Sequence, residues 1–404
     1  ASEGGGLWNS LGIMTIDGMN IDGNTAEGAD ADTGGGGVFN NGGTLDIVNG
    51  TTINNNLATG ASGSGGGLLS TAGDVTITDS SLDGNAANRA GGAIEIIDGT
   101  LFFERSTMTN NDVDGTAGTA APGNGGGLHV TGTSGTIDIS LSTISNNAAA
   151  NEGGGLWNQN GTIMNIVDST IDTNSAITGG GIYNNGGGLA TITTSTISGN
   201  IATGDGGGIT NNGAGMDLDA VTIANNSAAG NGGGIFSTSN TSLKNTLVAT
   251  NIANLGVDVF GSFLSNNFNL LGQDDADTFP EASNDNEEGD AFLGPLQDNG
   301  GLTFTHELLD GSEAYNAGDP AAQFDDQIGQ PVFDGIRDIG AFESQAVILA
   351  VDEVAEAGNG IVIYPNPSTG VSTIEIPAAF GNEIQITIIE LGSGKIVKQL
   401  DSQT

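Results

Sequence analysis

The side chains of this 404-residue chain that could act as acids, bases or metal ligands are almost all carboxylates. There is no cysteine, which excludes disulfides, thiolate zinc sites and cysteine nucleophiles. Only His129 and His306 carry an imidazole. The run from His306 to Asp310 begins like the zinc motif H-E-x-x-H but has aspartate where the second histidine is required. We therefore expect no zinc hydrolysis, and we expect His129 to be a partly exposed surface residue.

Polysaccharide cleavage is the enzymatic alternative. A hydrolase needs two carboxyl groups about 5 to 10 Å apart, and a lyase needs a base and a cation that neutralises a uronate. The chain has 48 acidic and 6 basic residues, so its net charge of −42 repels polyuronates. The same charge disfavours nucleic acid and anionic membranes as partners. We expect no enzymatic activity and keep a polysaccharide lyase or hydrolase as the third of three hypotheses.

One acidic stretch is the candidate metal site. Within 17 residues it has no cation and eight carboxylates: Asp274, Asp275, Asp277, Glu281, Asp285, Glu287, Glu288 and Asp290. Hard oxygen ligands in excess suit Ca²⁺, although no EF-hand spacing is present. Calcium binding is one interpretation, and a solvated acidic loop is the other. No cofactor is required by the sequence.

Two tryptophans occupy equivalent places in a repeated sequence. Trp8 and Trp157 each follow three glycines and a leucine, and each precedes an asparagine. Either indole could serve as a platform for a sugar ring, because aromatic faces accept such contacts. The two positions are far apart in the chain, so local packing is the preferred interpretation.

These residues belong to an internal repeat of about 28 residues. Each unit begins with three glycines, once two, followed by an apolar pair. The last glycines are Gly6, Gly37, Gly67, Gly92, Gly127, Gly155, Gly181, Gly208 and Gly234. Three short alternating segments follow in each unit, which predicts three strands per unit. Because one unit cannot bury its own apolar face, stacking is obligatory. We predict an all-β fold with about nine coils of a right-handed parallel β-helix over residues 1–250.

An asparagine recurs three residues after the apolar residue of each third predicted strand. The series is Asn24, Asn56, Asn85, Asn111, Asn147, Asn174, Asn200 and Asn226. Asparagine tolerates left-handed backbone, and its amide can bond to the same amide one coil away, so we predict a stacked ladder at a corner. Thr250 interrupts the series in the ninth unit. Insertions between asparagine and the next glycines (25–34, 57–64, 112–124) predict loops along one edge.

Two stretches resemble known families of surface proteins. The sequence Gly91-Gly92-Ala93-Ile94 resembles the β-helix repeats of polymorphic outer-membrane proteins, which implies the same right-handed fold. Residues 251–345 include Gly294 to Gly301 and Asp338 to Glu343, and they resemble a choice-of-anchor Q domain. That resemblance implies an irregular β-rich cap that follows a surface β-helix.

The C-terminal region resembles a type IX secretion sorting domain. Its signature comprises Tyr364, Pro365, Asn366, Pro367 and Gly370, followed by alternating segments. The resemblance implies a linker at 346–360, a partial β-sandwich at 361–404, and export by the secretion machinery to the extracellular space or outer-membrane surface of a Bacteroidota cell. Ser169, in Asp168-Ser169-Thr170, resembles the O-glycosylation acceptor motif of the same group.

The first residues already belong to the repeat, so we expect either that residues upstream of Ala1 have been lost or that another molecule covers this end. An open terminal coil exposes unpaired strand edges and apolar surface, so the predicted assembly end comprises Gly4, Leu7, Trp8, Ile13 and Ile16. We therefore expect a secreted or cell-surface structural protein that stacks head to tail into a filament. The alternative is a monomeric adhesin that binds glycans through its corner loops.

Overall fold

The computed structural model describes residues 1–115, 123–159, 161–213, 215–280 and 282–345, together with four short strands beyond residue 345. The chain divides into two compact units, Ala1–Gln345 and Ala346–Thr404. Every regular element in the described residues is a strand, so the predicted all-β class is confirmed. No helix among these residues is long and apolar enough to cross a membrane.

The first unit is built on a parallel β-solenoid of about nine coils, as predicted. Each coil contributes strands that pair in parallel with the equivalent strands of the neighbouring coils. The first strands are Leu7–Asn9, Val38–Asn41, Leu68–Thr71, Ile94–Ile97, Leu128–Thr131, Leu156–Asn158, Ile182–Asn185 and Ile209–Asn212. The second strands are Ile13–Asp17, Thr44–Val48, Asp74–Thr78, Thr100–Glu104, Gly135–Ser140, Thr162–Val167, Leu189–Thr193 and Met216–Asp219.

First and second strands form one sheet, because Ile235–Lys244 and Val259–Ser265 run through both positions. A second sheet contains the third strands Asn20–Asp22, Thr52–Asn54, Ser81–Asp83, Thr107–Thr109, Thr143–Ser145, Thr170–Asp172, Thr196–Ser198, Thr222–Ala224, Leu247–Ala249, Leu270–Leu271 and Asn286–Glu287. The solenoid strands therefore continue beyond residue 250, the end predicted from the repeat.

A fourth, two-residue strand follows each of the eight predicted ladder asparagines and was not predicted. The fourth strands form a third sheet: Thr25–Ala26, Leu57–Ala58, Ala86–Ala87, Asp112–Val113, Ala148–Ala149, Ser175–Ala176, Ile201–Ala202 and Ser227–Ala228. Two residues are too few to show an alternating pattern, so the sequence gives no signal for them.

The core is a continuous apolar column inside the coils. In the second coil Val38, Leu45, Ile47 and Ile53 all point inward and are fully buried. Equivalent residues of the neighbouring coils lie directly above and below them because the strands pair in register. Burial of each such side chain contributes about 1.5 to 3 kcal/mol, which a single coil could not achieve alone.

The glycine triplets are required by the close approach of backbones at one corner. Gly65 has a φ of +62°, a conformation that favours glycine. A Cβ atom on Gly66 would come within 2.4 Å of the carbonyl oxygens of Ala86 and Gly92. A Cβ atom on Gly67 would meet the Ala93 carbonyl oxygen at 2.8 Å. The triplet is thus a structural turn.

Residues 291–345, which we call the covering segment, lie along the outer face of the third-strand sheet in the later coils. The covering segment contains one antiparallel pair, Leu293–Gln297 with Thr305–Leu308. Thr170 Oγ1 donates to the Phe304 carbonyl oxygen at 2.6 Å, and the Ala341 amide donates to Thr222 Oγ1 at 2.9 Å. Residues 291–345 of the predicted cap therefore cover one side of the solenoid.

The second unit contains two antiparallel strand pairs among its described residues. Val362–Tyr364 pairs with Thr373–Glu375, and Gln385–Ile389 pairs with Ile396–Asp401. The signature residue Tyr364 ends the first of these strands. The other predicted signature residues, Pro365, Asn366, Pro367 and Gly370, lie outside the described residues.

Candidate functional site: the first coil

The first coil forms one end of each of the three sheets. Its strands each pair with the second coil on one edge: Leu7–Asn9, Ile13–Asp17, Asn20–Asp22 and Thr25–Ala26. No other strand in the described part of the chain pairs with the opposite edge. A strand edge with free backbone groups is a template for a further strand.

Apolar side chains surround this open edge. Three predicted assembly residues are exposed: Leu7, Trp8 and Ile13, the last 79 % exposed. Leu11 and Met19, which were not predicted, are also exposed, Leu11 to 84 %. The sequence feature that could have identified Leu11 and Met19 is an apolar residue within a turn of glycine and polar residues.

The other two predicted assembly residues have structural roles in the first coil. Gly4 supplies the left-handed turn, with a φ of +55°. Ile16 belongs to the core column and is buried. It nevertheless helps to line a shallow cleft of about 410 Å³ with Leu7, Met14 and Met19.

An identical sequence lies inside the solenoid and shows how the same residues pack when a coil precedes them. Residues 3–9 and 152–158 both read Glu-Gly-Gly-Gly-Leu-Trp-Asn. Trp157 is 2 % exposed, whereas Trp8 is 47 % exposed. The indole nitrogen donates to the preceding glutamate in both coils, at 3.3 Å from Trp8 to Glu3 and at 3.0 Å from Trp157 to Glu152. The difference in exposure therefore arises from the neighbouring coil.

The preceding coil covers Trp157 with an imidazole ring. The centroids of His129 and Trp157 are 4.3 Å apart with an interplanar angle of 24°. On the other side, the Tyr183 ring is parallel to the indole at 6.4 Å. Trp8 has the corresponding neighbour on one side, Phe39 at 6.4 Å. The local packing expected for both tryptophans is thus complete only at Trp157.

His129 is fully buried, so the prediction that it is a partly exposed surface residue is wrong. Its Nδ1 atom lies 2.7 Å from Glu95, which also accepts from Arg89 at 3.0 Å and from Thr131 at 2.8 Å. Burial raises the pKa of Glu95, but the charges of His129 and Arg89 and the hydrogen bonds hold the pKa below its usual value. This buried charge cluster depends on strand register, which the sequence does not reveal.

The predicted asparagines form a continuous amide ladder at the corner after the third strands. Each Nδ2 donates to the Oδ1 of the asparagine one coil further on, at 2.9 to 3.0 Å. The predicted interruption in the ninth unit is wrong, because Val248 pairs with Ile223 and places Asn251, not Thr250, on the ladder.

The ladder ends on a buried carboxylate. Asp258 accepts from the Asn251 side-chain amide at 2.8 Å and from its backbone amide at 3.2 Å. Burial raises the pKa of Asp258 to about 6, although these hydrogen bonds oppose the change.

The acidic segment, residues 274–290, lies against the last solenoid coil. Asp275 accepts from the Val257 amide at 2.7 Å, and Asp285 accepts from the Asn269 amide at 3.0 Å. Asp274 accepts from two amides within the segment, and Phe279 packs on Phe263. Asp275 and Asp285 therefore cap backbone amides at the C-terminal end of the solenoid.

The remaining predicted calcium ligands do not converge in the described part of the segment. Asp277, Glu288 and Asp290 are exposed. No group of three or more histidine or carboxylate side chains among the described residues could hold a metal ion. Glu281 and the side chain of Glu287 lie outside the described atoms.

Ser169 and His306 are both buried structural residues. The Ser169 hydroxyl donates to the Val167 carbonyl oxygen at 2.7 Å and accepts from the Ser142 amide at 3.2 Å. The folded chain offers no access to this oxygen, which argues against the predicted glycosylation there. His306 bridges Ser198 and the Gly294 carbonyl oxygen, and burial lowers its pKa.

Comparisons of the chain with protein-family models, with curated proteins and with solved structures give no match.

Proposed function

We propose that this protein is a non-enzymatic structural protein of the cell surface or extracellular space, whose copies associate head to tail through the ends of the solenoid. The observation that supports the proposal is the apolar surface of the first described coil, where Leu11, Ile13 and Trp8 are exposed. Burial of one such side chain contributes about 1.5 to 3 kcal/mol, and the free strand edges add backbone hydrogen bonds.

A head-to-tail contact uses two different surfaces and does not close on itself, so it generates a filament. In this proposal the first described coil of one copy meets the C-terminal region of the next. The net charge of −42 keeps neighbouring filaments apart in solution.

Export to the surface is the second part of the proposal. It is supported by the resemblance of residues 363–370 to a type IX sorting signature. Deletion of residues 346–404 in a Bacteroidota host should then retain the protein inside the cell, as measured by fractionation and immunoblotting. Unchanged secretion of the truncated chain would contradict this route.

The association is tested with a matched pair of variants. Ile13 in the first coil and Ile163 in the sixth coil occupy equivalent positions of the second strands. The strand register connects the two positions through Thr44, Asp74, Thr100 and Thr136. Ile13→Lys should abolish filaments seen by electron microscopy at several dilutions, whereas Ile163→Lys should leave them intact.

Two outcomes would contradict the proposal. Filaments that persist in Ile13→Lys would show that this edge is not the contact. Separate rods of the unmodified chain at every concentration would favour the adhesin hypothesis, with the corner loops as the surface to examine.

A further inference from the structure

A shallow cleft lies in the second to fourth coils, where the second strands turn into the third strands. Its volume is about 450 Å³. The cleft is lined by Thr52 and Ser81, which begin third strands, and by Asp79 and Arg105, which lie in the turns before third strands. Because these residues belong to inner coils, the cleft does not depend on either end of the chain.

The strand register places the cleft in line with the face that the covering segment occupies in later coils. One column of third-strand residues runs through Thr52, Ser81, Thr107, Thr143, Thr170 and Thr196. Thr170 and Thr196 are buried, and the Gln327 side chain of the covering segment bonds to both. Thr52 and Ser81 are partly exposed, and Thr107 is exposed. The column therefore presents open hydroxyl groups in the coils that form the cleft.

One wall of the cleft is a planar ion pair. Arg105 donates through Nε and Nη2 to the two carboxylate oxygens of Asp79, both at 2.9 Å, and its Nη1 atom lies 2.6 Å from Glu104. The hydrogen bond from Arg105 holds the pKa of Asp79 below its usual value, so the pair stays charged near neutral pH. Both side chains remain more than one third exposed.

The chemistry of this pair suits hydroxyl groups. A carboxylate has about four acceptor sites and a guanidinium has five N–H donors, so the contacts between Arg105 and Asp79 use only part of each. A hydroxyl both donates and accepts, and adjacent hydroxyls match an acceptor beside a donor. Arg105 with Asp79 and Glu104 carries one more negative than positive charge, and the chain carries −42. The cleft therefore favours a neutral ligand with many hydroxyl groups.

An exposed aromatic ring lies beside the cleft. Phe102 is 41 % exposed and points outward from the second strand of the fourth coil, on the same face as Glu104. Residues two apart on a strand are about 7 Å apart, so the ring is within the length of a short oligosaccharide from Arg105. Its neighbours in register, Thr76 and Asp138, are smaller and polar. The ring offers an apolar surface for the C–H face of a sugar.

We propose that this cleft binds a neutral polysaccharide. Hydroxyl groups of one sugar bond to Asp79 and Arg105, and a neighbouring sugar packs on Phe102. The inference does not depend on association between copies, and it adds a ligand to the proposed structural role.

Affinity electrophoresis of the full chain tests the inference. Native gels contain glucomannan, mixed-linkage β-glucan, arabinoxylan or dextran, and a further gel contains polygalacturonate. At least one neutral polysaccharide should retard the chain, and polygalacturonate should not. Mobility in a gel without polysaccharide corrects for changes in charge, and retardation at several polysaccharide concentrations gives the dissociation constant.

Substitutions in the cleft should weaken the binding. Arg105→Gln and Phe102→Ala should each raise the dissociation constant about tenfold. Phe333→Ala, which truncates an exposed phenylalanine of the covering segment, should leave it unchanged. If Arg105→Gln does not fold, Arg105→Lys keeps the charge but cannot donate in parallel to both oxygens of Asp79, and it should weaken binding in the same direction.

Four outcomes would overturn the inference. They are absence of retardation by all four neutral polysaccharides, retardation by polygalacturonate alone, and binding that is unchanged in both Arg105→Gln and Phe102→Ala. The fourth is binding of a synthetic peptide of residues 299–306, a stretch of the covering segment, without binding of polysaccharide. That result would make the cleft a docking site for extended polypeptide.

Discussion

At the scale of single residues, the solenoid is stabilised by buried polar side chains that are satisfied by the equivalent residues of neighbouring coils. Asn147 is an example: its Nδ2 donates to Asn174 and to the Met108 carbonyl oxygen, both at 2.9 Å. Its Oδ1 accepts from the backbone and side-chain amides of Asn111. The ladder asparagines from Asn56 to Asn226 thus each make hydrogen bonds with two neighbouring coils, and none of them is satisfied by its own coil alone.

Asn147→Ala should lower the free energy of unfolding by about 3 kcal/mol, because it leaves buried partners in both neighbouring coils without a hydrogen bond. Urea denaturation followed by circular dichroism measures the change. Asn284→Ala, at an exposed position, is the control and should change stability by less than about 0.5 kcal/mol. Equal effects of the two substitutions would show that the ladder contributes little.

Asp258 should make stability depend on pH around neutrality. Its folded pKa of about 6 lies above the value of about 3.9 for an unfolded aspartate, so the folded chain binds a proton that the unfolded chain releases. The free energy of unfolding should therefore rise as the pH falls from 8 to 5, by about 1.4 kcal/mol from this group.

Asp258→Asn is the matched variant, because an amide oxygen can still accept from Asn251. The part of the pH dependence that comes from Asp258 should disappear in it. Urea midpoints measured at pH 8, 6.5 and 5 give the comparison. Parallel pH profiles of the two chains would contradict the assignment.

At the scale of elements, the glycine turn and the strands depend on each other. The second glycine of a triplet lies where the backbones of adjacent coils are closest, whereas the third position holds an alanine in one coil, Ala93. The turn therefore tolerates a side chain at the third position of the triplet and excludes one at the second position.

Gly66→Ala should destabilise the protein more than Gly67→Ala. A Cβ atom at residue 66 would meet carbonyl oxygens at 2.4 Å, and both belong to rigid backbone. We expect a loss of more than about 3 kcal/mol at residue 66 and a loss of roughly half that at residue 67. Thermal and urea unfolding of the two variants give the order, and the reverse order would contradict this account of the triplet.

The coil architecture could be predicted from sequence because it follows from short-range periodicity. Alternating residues such as Leu45 and Ile47 reveal a strand with one buried face, and the recurrent glycines reveal the period. The burial of His129 and the place of Asn251 could not be predicted, because both depend on the register between coils. The side that the covering segment occupies depends on contacts such as that of Thr222 with Ala341, over 100 residues apart.

The candidate site was predictable in part for the same reason. Leu7, Trp8 and Ile13 occupy positions of the repeat. Their equivalents in other coils could therefore be identified from the sequence, and their exposure in the first coil could be expected. Leu11 and Met19 lie in turns, where periodicity gives no information.

At the scale of the whole molecule, the net charge and the apolar surface of the first coil have opposite effects on association between copies. A charge of −42 repels a second copy at all distances within the Debye length, whereas the first coil attracts one only on contact. Association should therefore depend strongly on ionic strength.

Raising NaCl from 0.05 to 0.5 M should tighten association about tenfold or more, because salt screens the repulsion and leaves the apolar contact unaffected. Sedimentation velocity at a fixed protein concentration measures the effect. The Ile13→Lys variant should stay dissociated at both concentrations. Association that weakens with salt would indicate a contact made by ion pairs, which would contradict an apolar junction.

The identical sequence at residues 3–9 and 152–158 also bears on how the gene could change. Both copies occupy the same place in their coils, so an in-frame exchange between them would remove five coils and rejoin the chain without altering the register of any strand. The strands of each coil pair only with those of the neighbouring coils, so the shortened product would still bury its core. The length of the solenoid is thus a property that recombination could adjust in whole coils while the fold is inherited unchanged.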